Sequence, residues 1–310
     1  MKVPVKKILA IVGPTASGKT SLSLAVAERL DAEIVSADSR QIYRSMTVGT
    51  AKPSEEDRRK IPHHCIDILD PDELYSAGLY GRNARRIIRE IRERGKAVVV
   101  VGGSGLYIRA LLDGLFEGPG SNEEIRRALN TQLESKGLNS LLQDLERVDP
   151  VTAKRMEGEP KARRIIRALE VYYETGIPLS RHHEQQDRSN RIEAVQVAPE
   201  WDRSDLYGRI DERVQEMIRK GLVEEVRWLV DRYDRRTNAL NTVGYKEMID
   251  FLDHRQDLAT TIALIQKNTR RFAKRQLTWF RRDRRIHWIP AKEGIDHVAD
   301  RVLSVYEQEA

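Results

Sequence analysis

Ile8-Leu9-Ala10-Ile11-Val12 runs directly into Gly13-Pro14-Thr15-Ala16-Ser17-Gly18-Lys19-Thr20, and a helical pattern follows from Ser21 to Leu30. The eight residues 13–20 complete the pattern G-x-x-x-x-G-K-[ST], and apolar strand, glycine loop and helix is the context in which that pattern has physical meaning. Glycines let the backbone curl so that several N–H groups point at one anion, with the amino end of a helix behind them. Lys19 adds a point charge, and the Thr20 hydroxyl is placed to hold Mg²⁺. A polyphosphate is therefore expected on residues 13–20, of a kind that the loop alone does not specify.

Around this loop the chain alternates strands and helices. Lys6–Val12, Ala32–Ala37 and Lys96–Val101 are continuous apolar runs, with a helix near Gly78–Arg94 between the last two. Unbroken apolar strands separated by helices predict a parallel sheet covered on both faces. From about Ser121 to Ser180 strand signals fade, and helices are expected over Ile125–Leu133, Leu138–Leu145 and Lys161–Tyr173. Residues 192–197 resemble one more strand, and everything after Ser204 reads helical. The fold class is α/β: a P-loop NTPase-like parallel sheet core with an all-helical insertion and a helical C-terminal part. The corresponding domains are residues 1–120, 121–190 and 191–310.

Bulk properties exclude several classes. With 310 residues, 40% hydrophobic and 33% charged, the chain reads as a soluble globular protein with room for one large domain or two modest ones. No apolar run approaches the roughly 20 residues of a membrane span. Met1–Lys7 leads straight into the first strand and leaves no space for a signal peptide. A single cysteine, Cys65, excludes an intramolecular disulfide and any multi-cysteine zinc site. The cytoplasm is the expected compartment and a monomer the expected state.

Charge is unevenly placed. Between Lys267 and Arg285 nine residues are basic (Lys267, Arg270, Arg271, Lys274, Arg275, Arg281, Arg282, Arg284 and Arg285) against one acid, Asp283, whereas the whole chain carries +6. At about 100° per residue from Ile265, the residues Thr269, Phe272, Ala273, Gln276, Leu277, Trp279 and Phe280 share one side of a helix. Lys267, Arg270, Arg271, Lys274, Arg275, Arg281 and Arg282 share the other. A solvated face usually mixes signs, so this one favours a polyanion, most simply the phosphates of a nucleic acid.

In doubly wound sheets ligands sit beyond the carboxyl ends of the strands. Asp38-Ser39-Arg40-Gln41 follows the second strand, and Gly102-Gly103-Ser104-Gly105 follows the third. Phosphate-loop ATPases carry an aspartate at the end of a neighbouring strand, but here the third strand ends without a carboxylate. The acid is Asp38 instead, which could bridge magnesium or accept a proton from an attacking nucleophile.

Seven segments in order resemble the tRNA dimethylallyltransferases, which prenylate an adenosine beside the anticodon. They are residues 13–20; Ser36-Ala-Asp-Ser-Arg-Gln-Ile-Tyr-Arg44 with Gly49-Thr-Ala-Lys-Pro53; Pro62-His-His64 before Ile66-Asp67; Gly102-Gly-Ser-Gly-Leu-Tyr107; Arg164-Ile-Ile-Arg-Ala-Leu-Glu-Val171; Val243-Gly-Tyr-Lys-Glu247; and Thr269 to Arg281. The resemblance implies transfer of a dimethylallyl group from its diphosphate to N6 of the adenosine 3′-adjacent to the anticodon in tRNA. Gly13, Pro14, Thr15, Ala16, Ser17, Gly18, Lys19 and Thr20 would grip the diphosphate with Arg213, and Mg²⁺ would be held at Thr20 and Asp38. Asp38 would be the general base, with the Ser104 hydroxyl beside it, at a position where the family commonly has Thr. The anticodon stem-loop would meet Asp38, Ser39, Arg40, Gln41 and Ser104. It would also meet Arg126, Arg163, Arg164, Ile165, Ile166 and Arg167 of the insertion, and Lys267, Arg270, Arg271, Lys274 and Arg281 of the basic helix.

Other residues take plainer readings. His63 and His64 beside Cys65 lack the spacing of a metal site. Trp201, Trp228, Trp279 and Trp288 fall on apolar stripes and are expected in the core. Tyr107 could be core or site, and His182 and His183 are expected in a solvated loop. Three rival functions are a small-molecule P-loop kinase, an adenylate prenyltransferase acting on free nucleotide, and a non-catalytic RNA-binding regulator.

Overall fold

The structure, a computed structural model, describes residues 7–116, 118–185 and 191–309. Lys6, the first residue expected in the opening strand, and residues 186–190 at the end of the expected insertion lie outside the described residues. The chain divides into two compact units, Met1–Asp113 with Arg191–Ala310, and Gly114–Asn190.

The first unit is built on a six-stranded sheet: β1 (Ile8–Val12), β2 (Ala32–Ser36), β3 (His63–His64), β4 (Ala97–Gly102), β5 (Ala194–Glu200) and β6 (Ile286–Pro290), in the order β3-β2-β4-β1-β5-β6. Every strand pairing is parallel. Side chains alternate between the faces. Ile8, Ala10, Val12, Val98 and Val100 pack toward α3 (Ala77–Glu93) and α4 (Gly105–Leu112). Leu9, Ile11, Val99, Val195 and Val197 pack toward α1 (Lys19–Leu30) and α13 (Ile295–Glu309). Two covered faces explain why these strands read as unbroken apolar runs. A separate cluster joins Ile42, Tyr43 and Met46 to α9 (Arg203–Arg219), α10 (Leu222–Val230), α11 (Tyr245–Leu252) and α12 (Leu258–Phe280). Helix α2 (Glu55–Lys60) lies between β2 and β3, opened by a capping box at Ser54.

Two strands escaped the sequence reading. β3 is two residues long, and β6 contradicts an all-helical end after Ser204. Ile286-His-Trp-Ile-Pro290 follows a charged run without a glycine break, and its partner on β5 is supplied only by tertiary structure.

The second unit is helical: α5 (Glu123–Val148), α6 (Pro150–Arg155), α7 (Ala162–Thr175) and α8 (Leu179–Glu184). Gly137, at φ 76° and ψ 174°, interrupts α5 between the two helices expected there. Leu129, Leu141, Leu145, Ile165 and Leu169 form its core. His182 and His183 are helical rather than loop residues, with ring centroids 5.3 and 5.2 Å from Phe116. Among the described residues no helix is long and apolar enough to cross a membrane.

Candidate active site

β2, β4 and β1 are neighbours in the sheet, and their ends are in register: Ser36 opposite Val101, and Gly102 opposite Val12. The loops that follow them therefore emerge side by side. A cavity of about 700 Å³ opens there, lined by residues 15–20, Asp38, Gln41, Thr50, Gly103, Arg209, Arg213, Phe272 and Gln276 among others.

The phosphate loop presents N–H groups because its carbonyls are bonded elsewhere. Ser17 Oγ donates to the Pro14 carbonyl at 2.9 Å, and Lys19 Nζ donates to the same oxygen. Trp201 Nε1 donates to the Ser17 carbonyl at 3.0 Å, and Arg209 Nε to the Ala16 carbonyl at 2.9 Å. Among the described residues the N–H groups of Ala16, Ser17 and Gly18 meet no acceptor. Gly18 at φ 86° turns this nest into the first turn of α1. The loop is thus an unfilled set of donors at a helix amino end, which suits a phosphate.

Two cations converge on it, and among the described residues neither is ion-paired with a carboxylate. Burial pushes the Lys19 ammonium down to about 7, the nearby Arg213 guanidinium adds to the fall, and Asp38 opposes it. Burial likewise lowers Arg213, against the pull of Asp38. Arg213 donates to the Thr50 carbonyl at 3.5 Å. Cations left this way gain most when an anion arrives.

Asp38 is held at one oxygen only. Its Oδ1 accepts from the N–H groups of Arg40 at 2.8 Å and Gln41 at 3.4 Å; among the described residues no donor reaches Oδ2. Ser104 Oγ accepts from the Ser39 N–H at 2.9 Å and so ties the β4 loop to the Asp38 loop. The absent side chain of Gly102 allows this approach, since a β-carbon there would overlap the Ala37 carbonyl.

The remaining sequence candidates divide. Arg40 donates to the Asn238 carbonyl at 2.9 Å. Gln41 has its amide bonded inside the unit, accepting from Ser36 Oγ at 3.2 Å and donating to the carbonyls of Thr50 and Ala51 at 3.3 Å. Ile165 and Ile166 are core residues at 0% and 9% exposure, a correction to their reading as tRNA contacts. Arg126 and Arg167 both pair with the fully buried carboxylate of Glu170 at 2.7 Å, whereas Arg163 and Arg164 are exposed. The side chains of Lys267, Arg271 and Lys274 on α12 and of Arg281 just past its end are exposed, but Arg270 is paired with Asp211 at 2.5 Å. Phe272, Trp279 and, on α10, Trp228 are about two-fifths exposed rather than in the core. Tyr107 is core, stacked on Tyr80 at 4.2 Å.

Three site residues were missed. Arg209 lines the cavity one helical turn from Arg213, a spacing of four that the sequence offered. Gln276 was read as apolar stripe only. Glu225 accepts from the N–H groups of Thr47, Val48 and Gly49 and from Tyr245 Oη, shaping the loop that carries Thr50; no local pattern reveals it.

Comparison with known proteins agrees with this geometry. A family model described as IPP transferase matches residues 41–283. The chain is 45% identical over 309 residues to the tRNA dimethylallyltransferase of Geobacter metallireducens, covering 99% of this chain and 100% of that one. With the tRNA dimethylallyltransferase of Carboxydothermus hydrogenoformans the identity is 44%, over 96% and 97%. The solved tRNA isopentenylpyrophosphate transferase of Bacillus halodurans superposes with a TM-score of 0.70 at 37% identity, over 98% of each chain. A eukaryotic dimethylallyltransferase acting on tRNA gives 0.77 at 26% identity, over 98% of this chain and 76% of that one. Phosphate loop, parallel sheet and full-length sequence likeness converge: this chain belongs to the IPP transferase family.

Proposed function

We propose that the chain transfers a dimethylallyl group from dimethylallyl diphosphate to N6 of the adenosine 3′-adjacent to the anticodon in tRNA, releasing diphosphate. One observation carries the reading: within a single cavity, a phosphate nest with two half-buried cations, neither ion-paired among the described residues, opens toward the one-sidedly bonded Asp38. The diphosphate would lie on the N–H groups of residues 16–20, with Lys19 and Arg213 against its oxygens. As its bond to the prenyl carbon breaks, charge grows on the leaving oxygen, where these donors act most strongly. Asp38 Oδ2 takes the N6 proton while the new N6–carbon bond forms, which assists a weak nucleophile. The target base must leave its stack, at a cost of a few kcal/mol that phosphate contacts to a basic surface can offset.

The residues present fit a magnesium ion. Thr20 and Asp38 both line the cavity, and among the described residues no cluster of three or more His, Cys, Asp or Glu forms a cage. One hydroxyl and one carboxylate, completed by phosphate and water oxygens, is a set that suits Mg²⁺. When bound, it would neutralise charge on the leaving diphosphate. We place the enzyme in the cytoplasm as a monomer.

Mass spectrometry of tRNA incubated with the protein, Mg²⁺ and dimethylallyl diphosphate tests the reading. One adenosine beside the anticodon should gain a C5H8 unit. An unchanged tRNA, or comparable transfer to free AMP, overturns it. So does transfer of the γ-phosphate from ATP to a small molecule.

A further inference from the structure

Gln276 lies on the cationic helix α12 and is 8% exposed. Its Oε1 accepts from the N–H of Thr15 at 2.9 Å, and its Nε2 donates to the carbonyl of Gly103 at 2.9 Å. These partners fix the amide's orientation, because an N–H needs the oxygen and a carbonyl needs the NH₂. Thr15 belongs to the phosphate loop. Gly103 precedes Ser104, whose hydroxyl holds the Ser39 N–H next to Asp38. Among the described residues no backbone hydrogen bond joins residues 13–18 to residues 103–105, so beyond Val12 and Gly102 the sheet does not set their spacing. The fit is close at Gly103, where a β-carbon would collide with Gln276 Nε2.

We propose that Gln276 is a positioning residue for the transfer. Resting on the prenyl-transfer reading above, it holds the phosphate loop and the Ser104–Asp38 side at the separation that the displacement needs. Leaving group and base sit on different loops, so a shift between the loops changes the distance over which the new bond forms. A misplacement of about 1 Å can cost on the order of a hundredfold in rate. The same residue ties both loops to the helix whose outer face carries Lys274, with Arg281 just past its end.

Steady-state kinetics with separate donor and tRNA binding measurements test this. Gln276→Met keeps the length and loses both bonds, so kcat should fall about ten- to a hundredfold while both Kd values stay near wild type. Gln276→Asn, which reaches one loop but not both, should fall between. Gly103→Ala displaces the amide with Gln276 intact, should reproduce the loss, and carries the test if Gln276→Met does not fold. Because both changes break one link, the double variant should be no slower than the slower single one. A wild-type kcat in Gln276→Met, a loss confined to donor Kd, or multiplying effects in the double variant would each overturn the inference. Absence of transfer by the wild-type protein in the same assay would instead refute the prenyl-transfer reading.

Discussion

Two groups of cations in this molecule look alike in sequence and differ in structure. Lys19 and Arg213 sit half-buried at the strand ends, bonded to carbonyls, with desolvation lowering both and the Arg213 charge lowering Lys19 further. Arg126, Arg167 and Arg270 are instead bound to acids, Glu170 for the first two and Asp211 for the third. Burial alone would raise the Glu170 carboxyl, yet its bonds to Arg167 and Arg126 hold it below the usual range. A cation kept for a ligand is one that the fold desolvates without joining it to an acid in an ion pair. A cation already joined to an acid of the fold serves the fold, most firmly where that acid is buried, as Glu170 is.

The largest test of this contrast removes the acid that the two site cations face. Asp38→Ala should lower the transfer rate by about two to four orders of magnitude with tRNA affinity retained, as single-turnover kinetics beside binding assays would report. Unchanged turnover would remove Asp38 from the chemistry. Next comes Lys19→Ala, for which donor affinity should fall by roughly two to three orders of magnitude while tRNA still binds. Calorimetric titration with dimethylallyl diphosphate measures it.

Acidity probes the same lysine more gently. A ligand-free value of about 7 means that Lys19 is largely neutral at pH 8, whereas a bound diphosphate favours the charged form. Donor binding should therefore take up a proton above pH 7, and affinity should fall by up to about tenfold per pH unit as pH rises toward the ordinary lysine range. The unfolded chain holds that proton up to its ordinary value, so Lys19 also makes the free protein more stable as pH rises from 7 toward 10.5. Titrations in buffers of different ionisation enthalpy count the proton, and a count of zero would mean that Lys19 is charged before the donor arrives.

The smallest effects separate exposed cations from an arginine paired with an acid. Lys274→Ala with Arg281→Ala should make the salt dependence of tRNA affinity shallower by about two in slope. Arg270→Ala should leave that slope nearly unchanged and lower stability by about 1 kcal/mol at most, since the pair is part-exposed. Equal slopes for the two variants would erase the distinction.

What the sequence revealed follows the same line. Residues 13–20 could be read because the loop's geometry is encoded in its own eight residues, and the strands around it because both faces are covered. The segments that carry Asp38 and Ser104 could be placed at strand ends from the pattern, while the role given to Ser104 rested on the family resemblance. The pairing of Arg126 with Glu170 could not be read, because it joins α5 to α7, whereas Arg167 and Glu170 stand three apart on α7, a spacing the sequence offered. Helical periodicity put Phe272 and Gln276 on one stripe, yet only the packing against Gly103 and the cavity shows that neither is simple core. β6 stayed hidden because no glycine or proline break separates its five residues from the charged run before it, and its partner β5 lies far away in sequence.

The most direct measurement is a crystal structure with a non-reactive thio analogue of dimethylallyl diphosphate and an anticodon stem-loop. The account predicts both phosphates on the N–H groups of residues 16–20 against Lys19 and Arg213, with the adenine amino group within hydrogen-bond reach of Asp38. Phosphates bound away from Lys19 and Thr20, or an adenine facing another acid, would contradict it.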